Sequence, residues 1–202
     1  MTVAYIALGA NIPGPAGSPA QTLAATAERL TALGNLVARS SLYSTAPVGY
    51  ADQPRFINAV VAIETALGPR ELLAALSAIE RDFGRDRNNA IPNGPRSLDL
   101  DILLYGDSIL RDPNLEIPHP RFAQREFVLI PLAEIAPEIH DPRSGVLVKE
   151  LLERLQTVRP PGTHQTDNEI VAIEHDRWHA GSSRAVDGSD HTRANIIPPD
   201  HR

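Results

Sequence analysis

The sequence predicts an α/β fold of the α+β type, a sandwich with two helices on one face of a mostly antiparallel, four-stranded sheet. Two stretches with apolar residues at helical spacing, each opened by a proline and closed by a glycine, supply the helices. Short runs rich in Val, Ile and Leu supply the strands. The elements come in the order β-α-β-β-α-β, whose usual packing is that sandwich.

Residues 3–8 are uniformly apolar and few, which suits a strand buried on both faces, and Gly9-Ala10-Asn11 ends it. Ser18-Pro19-Ala20-Gln21 then reads as a helix start, with Ser18 as cap, Pro19 at the first helical position and Gln21 three residues past the cap. Leu23, Ala27, Leu30 and Leu33 follow at helical spacing, and Gly34 stops the helix. Residues 35–43 are strand-like, 45–50 form a loop, and 56–67 read as a long strand. Pro69 opens a second helix with Leu72, Leu73, Leu76, Ile79 and Phe83 on one side, closed by Gly84. An Arg-rich loop over 85–95 leads into a strand at 97–105. Residues 109–117 add a short strand pair, 122–135 are helical or mixed around Pro131, and 148–155 form a short helix.

Beyond Pro160-Pro161-Gly162 the apolar periodicity fails. Few apolar residues and many Gly, Ser and Pro predict a flexible tail, dividing the chain into one domain over 1–160 and a polar tail over 161–202. His164, His175, His179, His191 and His201 are scattered through that tail, a pattern of adventitious metal binding rather than of a designed site.

Composition narrows the function classes. A net charge of -6 and a pI near 5.6 give no global basic field for nucleic acid or an anionic membrane, so an anionic substrate needs a local basic cluster. There is no cysteine, which excludes disulfides and thiolate metal sites. The first residues lack the basic start of a signal peptide, and no apolar run approaches the roughly 18 residues that cross a bilayer. A cytoplasmic protein is expected, and a monomer, because no additional apolar helix face stands out.

The sharpest chemical feature is Arg96-Ser97-Leu98-Asp99-Leu100-Asp101-Ile102-Leu103-Leu104-Tyr105. On a strand, Asp99 and Asp101 share a face about 6.6 Å apart, continued by Leu103 and Tyr105, with Leu98, Leu100, Ile102 and Leu104 opposite. Two carboxylates on a buried strand repel one another and lose hydration unless a cation joins them. Oxygen-only ligands favour magnesium over zinc, and magnesium commonly completes its shell with water and phosphate. The plainer alternative is an exposed sheet edge.

Around that strand stand Arg81, Arg85, Arg87 and Arg96, then Arg121 and Arg125 in Pro118-His119-Pro120-Arg121-Phe122-Ala123-Gln124-Arg125. Guanidinium groups bind phosphate oxygens bidentately and keep their charge. For Arg81 and Arg87 taken singly, a solvated loop making salt bridges with Asp82 and Asp86 is the better reading; for Arg96, directly before the paired aspartates, it is not. A third feature joins Thr45-Ala46-Pro47-Val48-Gly49 to Asp52-Gln53-Pro54-Arg55-Phe56-Ile57-Asn58-Ala59. Asn58 enters an apolar strand and needs partners, with Phe56 two residues earlier on the same face. Together they suit the edge and the plane of a flat heterocycle, although Asn58 alone could simply anchor the loop.

In this order the stretches resemble the 6-hydroxymethyl-7,8-dihydropterin pyrophosphokinase family. The resemblance begins at Ala4-Tyr5-Ile6-Ala7-Leu8-Gly9-Ala10-Asn11 and peaks at Gly94-Pro95-Arg96-Ser97-Leu98-Asp99-Leu100-Asp101. It continues through Ile117-Pro118-His119-Pro120-Arg121 and Phe127, spanning about the first 155 residues. It implies a ferredoxin-like sandwich and transfer of pyrophosphate from ATP to the pterin hydroxymethyl group, giving AMP, in folate biosynthesis. It implies two Mg2+ ions on Asp99 and Asp101, and Arg85 and Arg96 acting on the moving diphosphate. His119, Arg121 and Arg125 would hold ATP. Asn58, with the backbone of Thr45 and Val48, would bind the pterin edge, and Phe56 and Phe127 would sandwich its ring. The partners implied are ATP and the pterin alone, with no nucleic acid and no membrane.

This sequence departs from the family pattern at Asn93, where many members carry an aromatic residue, which puts the closing contact of that loop in question. A metal-dependent nucleotidyltransferase or glycosyltransferase would also explain Asp-x-Asp but leaves Phe56 and Asn58 idle. A ligand-sensing module of the same fold would not require paired carboxylates beside Arg96.

Overall fold

The computed structural model describes residues 1–50, 52–86, 93–158 and 170–179. Strand β1 (Thr2–Ala10) leads to α1 (Pro19–Leu30), β2 (Asn35–Arg39), β3 (Leu42–Thr45), β4 (Phe56–Thr65), α2 (Pro69–Asp82) and β5 (Asp99–Tyr105). A hairpin of β6 (Leu110–Asp112) and β7 (Leu115–Ile117) follows, then a 3-10 turn at Phe122–Gln124, α3 (Glu126–Ile135) and α4 (Val148–Thr157). Last come β8 (Val171–Ile173) and a single helical turn, α5 (Asp176–His179).

The main sheet is antiparallel with β5 outermost, then β1, then β4; β2 and β3 both pair with β4, and β8 pairs with β3. Counting β2 and β3 as one interrupted strand, the order is that of the expected βαββαβ sandwich. The α1 and α2 starts follow the local chemistry. Ser18 Oγ accepts from the Gln21 backbone N–H while Gln21 Oε1 accepts from the Ser18 N–H at 2.8 Å. Glu71 closes α2 similarly on the Gly68 N–H.

Helices α1 and α2 bury Leu23, Leu30, Leu72 and Leu76 against Ile6, Leu8, Val61 and Ile63. Helices α3 and α4 cover the opposite face, packing Leu129, Leu132 and Val148 against Val60, Leu103 and Leu104. This second helical layer exceeds the two-helix sandwich expected from the first hundred residues. Pro131 sits buried inside α3 instead of interrupting it.

Two further departures have local causes. The strand expected at 35–43 divides at Ser40, whose Oγ accepts the Val60 N–H at 3.0 Å in place of a ladder carbonyl. The Ser40 carbonyl turns away and accepts the Trp178 indole N–H at 2.7 Å. In β5 the pairing slips: Tyr5 stands opposite Leu104 while Ile6 stands opposite Ile102, leaving Leu103 as an extra residue. Parity reverses there, so Leu103 and Leu104 both join the α3–α4 core and Tyr105 joins the other, against the simple alternation.

The span expected as a flexible tail is structured at β8 and α5. Trp178 is fully buried, because its large ring fills the core beside α1 and its one donor is satisfied. Residues 159–169 and 180–202, with His164, His191 and His201, lie outside the described residues, as do Arg87 and the His179 side chain.

Candidate active site

A cleft of about 880 Å³ opens on the α3–α4 face of the sheet, where β1 and β3 end and β4 and β5 begin. Every residue expected at the site lines it: Thr45, Val48, Phe56 and Asn58 from one side, Arg85, Arg96, Asp99 and Asp101 from the other, with His119, Arg121, Arg125 and Phe127 above. Sheet register explains much of this convergence. Tyr43 pairs with Asn58, Asn58 with Gly9, and Gly9 with Asp99, so residues from four strands form one row on one face.

The two aspartates differ. Asp99 binds Arg96 through Oδ2 at 2.8 Å and Arg85 through Oδ1, and Arg85 is held in turn by Glu80. Asp101 is more open, 42% exposed in its side chain against 24% for Asp99, with His119 Nε2 4.0 Å away. Burial, and then the nearby charge of Asp99, raises the Asp101 carboxyl to about 6. Arg125 and Arg85 oppose that rise without cancelling it. No group of three or more acidic or histidine ligands occurs among the described residues. Two aspartates on one strand face therefore fit an ion that shares its shell with water and phosphate better than one needing an all-protein cage.

His119 is held by the chain around it. Its N–H donates to the Leu103 carbonyl at 2.9 Å, and its Nδ1 accepts the Arg121 N–H at 3.2 Å. An accepting Nδ1 leaves the ring proton on Nε2, the nitrogen turned toward Asp101. Burial, then Arg125 and Arg121, push the imidazole down to about 4. His119 is thus a neutral donor at pH 7, beside two permanent cations.

At the other end Asn58 donates through Nδ2 to Thr45 Oγ1 at 2.8 Å, leaving its Oδ1 and second N–H for a ligand. Sequence reasoning gave Thr45 only a backbone role; its hydroxyl also orients Asn58. The two ring faces each carry a guanidinium, Arg96 over Phe56 at 5.8 Å and Arg125 over Phe127 at 5.5 Å.

Several contributors were missed. Glu80, 1% exposed on α2, accepts the Leu100 N–H at 2.9 Å as well as Arg85. Asn11 accepts the Arg96 N–H at 2.8 Å and donates to Gln53 at 2.9 Å, and Gln53 donates to the Asn93 carbonyl at 2.9 Å. Asn93 itself takes φ 56, a left-handed conformation that asparagine tolerates, and its side chain lies beside Gly49 in the cleft lining. A buried Asn directly after a strand was the available signal for Asn11. Glu80 gave none, since a helical Glu is ordinarily solvated.

Comparison with known proteins gives concordant results. Residues 5–137 match the profile of the family described as 7,8-dihydro-6-hydroxymethylpterin-pyrophosphokinase. The chain is 48% identical to a Pseudomonas aeruginosa 2-amino-4-hydroxy-6-hydroxymethyldihydropteridine pyrophosphokinase over 73% of its length and 88% of the relative's. A Haemophilus influenzae protein of the same name is 44% identical over 74% and 91%. Among solved structures, wild-type Plasmodium falciparum HPPK-DHPS with pteroate aligns at TM-score 0.61 and 15% identity, a likeness of fold alone. The alignment covers 76% of this chain and 44% of that one, so this chain corresponds to less than half of that protein.

Proposed function

The chain belongs to the 7,8-dihydro-6-hydroxymethylpterin-pyrophosphokinase family, and on that premise we propose how its cleft divides the work. The reaction is transfer of pyrophosphate from ATP to the hydroxymethyl group of 6-hydroxymethyl-7,8-dihydropterin, giving AMP and the pterin diphosphate in folate biosynthesis. The observation that carries our assignment is the cross-strand row in which Asn58 and Asp99 flank Gly9. It sets a heterocycle-binding amide and a carboxylate on one floor.

The pterin lies between Phe56 and Phe127, its edge on Asn58 and on the backbone of Thr45 and Val48. Its hydroxymethyl group then points toward Asp99 and Asp101. ATP lies beneath His119, Arg121 and Arg125, which hold phosphate oxygens, His119 through its Nε2–H. Arg85 and Arg96 stabilise charge on the diphosphate as it passes from AMP to the pterin oxygen. Their salt bridges to Asp99 keep them at the floor of the cleft until the phosphates compete for them.

Asp99 and Asp101 would hold two Mg2+ ions, and the raised Asp101 carboxyl supports a site built for added positive charge. Bound there, the metal would neutralise phosphate charge and make the pterin hydroxyl easier to deprotonate. The rest of the catalysis is positioning by the chain's own residues, and no strong protein base is required.

We assign the activity to residues 1–160 together with the β8–α5 segment that packs onto them, acting as a cytoplasmic monomer on two small molecules, with no nucleic acid or membrane involved. Among the described residues no helix is long and apolar enough to cross a membrane. Nucleotide product analysis with ATP, magnesium and hydroxymethyldihydropterin tests the reading. AMP appearing only when the pterin is present is the expected result; ADP, or AMP without pterin, contradicts it.

A further inference from the structure

Residues 170–179 lie beyond the stretch that matches the family profile, which ends at residue 137, yet they reach the cleft. Strand β8 pairs with β3 in a fixed register, Leu42 opposite Ile173, Tyr43 opposite Ala172 and Ser44 opposite Val171. One step further along that register, Ile170 comes beside Thr45, and Ile170 lines the cleft. Thr45 in turn stands opposite Phe56. Cross-strand partners share a face, so Ile170, Thr45 and Phe56 form a second row parallel to the one through Asn58. Leu155 and Val158 of the α4 end also line the cleft.

The segment is anchored away from the cleft. Trp178, the one tryptophan of the chain, is buried in the core and donates its indole N–H to the Ser40 carbonyl at 2.7 Å. The Arg39 guanidinium lies over its ring at 5.5 Å. The carbonyl it caps is the one that turned out of the sheet where β2 gives way to β3. The anchor and the interruption of the strand are therefore one feature, and β3, which ends in Thr45, is held by β4 on one side and β8 on the other.

From this geometry we infer that Ile170 is a specificity-determining wall of the pterin pocket, set in place by the β8 pairing and the Trp178 anchor. The inference rests on the reading of Phe56 and Asn58 as the pterin site. Asn58 and Thr45 offer hydrogen bonds to the edge of the heterocycle, and an aliphatic side chain in the next row keeps water from competing for them. A flat, neutral heterocycle gains from that wall, whereas the triphosphate of ATP, at the arginine-rich end, does not.

The test uses the full-length chain with Ile170→Ala and Ile170→Asp, assayed for AMP formation. Removing a branched side chain from an apolar wall raises the pterin KM about three- to tenfold, and a carboxylate there raises it further. The ATP KM and kcat stay within about twofold. Because Trp178 is the sole tryptophan, its emission reports the anchor directly, and it stays blue-shifted in both variants. Phe56→Ala run alongside raises the pterin KM if the pocket is correctly placed. An unchanged pterin KM in both Ile170 variants with a raised one in Phe56→Ala overturns the wall and leaves the pocket standing. An unchanged value in all three removes the pocket reading as well. Equal rises in the pterin and ATP KM, or a red shift of Trp178 emission, assign Ile170 to the fold and likewise overturn the inference.

Discussion

Asn58 and Asp99 flank Gly9 on the cleft floor, each its direct partner on a neighbouring strand. The heterocycle-binding amide and the carboxylate beside the reacting phosphates are thus set by hydrogen-bonded backbone rather than by loops. The spacer between them has no side chain. A Cβ on Gly9 would lie 3.0 Å from Asn58 Oδ1 and 3.9 Å from Asp99 Cβ.

Gly9→Ala should therefore fold and bind pterin poorly. Alanine suits a strand at least as well as glycine, so the thermal midpoint holds or rises slightly. The added methyl displaces the Asn58 amide by a few tenths of an ångström or more, enough to misalign its bonds to the ring edge. The pterin KM should rise about tenfold, with a smaller change for ATP. A pterin KM equal to wild type in steady-state assays would mean that Asn58 does not read the ring.

The residues around that floor were legible in the sequence because their signals are local. Alternation on β5 places Asp99 and Asp101 together, Phe56 and Asn58 are two apart on β4, and Pro118-His119-Pro120 marks a rigid segment. What stayed hidden depends on partners distant in sequence. The slip at Leu103 arises from the pairing of β5 with β1, and nothing within β5 announces it. The break at Ser40 depends on an indole 138 residues away, and without that contact the segment around Trp178 has the composition of a tail. The outer position of β5 is likewise a property of the assembled sheet.

Asp101→Asn should stabilise the metal-free protein at alkaline pH while removing activity. The folded-state carboxyl is raised to about 6, above its ordinary value near 3.8. Its proton-linked contribution to stability is complete below the lower value and is lost as pH rises through the upper one. Asparagine avoids burying that charge beside Asp99. The thermal midpoint without magnesium should exceed wild type at pH 8 and converge with it near pH 4, while turnover falls by about three orders of magnitude or more. A variant less stable than wild type at pH 8 would contradict the strained-carboxylate account.

His119 should titrate far below an ordinary histidine. Burial, Arg125 and Arg121 all disfavour its protonated form, bringing the midpoint to about 4. Imidazole NMR on the ligand-free protein should find that midpoint with Nε2 protonated above it. Arg125→Ala removes one of the opposing charges and should move the midpoint upward, toward 6.5. The stability consequence has a definite sign: between about 4 and 6.5 the unfolded chain takes up a proton that the folded chain refuses, so this group makes folding less favourable as pH falls through that window. A midpoint already near 6.5 in the wild type would show that the ring is not enclosed by those arginines.

Glu80 separates structure from catalysis, because its carboxylate does two jobs. It accepts the Leu100 N–H at 2.9 Å, fixing α2 to β5, and it holds Arg85, which also reaches Asp99. Glu80→Ala leaves a buried N–H unpaired and removes one of the two carboxylates on Arg85. A loss of about 3 kcal/mol in urea unfolding is expected. Glu80→Gln keeps an acceptor for Leu100 but withdraws the charge from Arg85, so it should recover most of that stability. Its kcat should still fall by about tenfold, since Arg85 is then placed by Asp99 alone among these two. Equal stability loss in the two variants would mean that the charge, and not the acceptor, joins the helix to the strand.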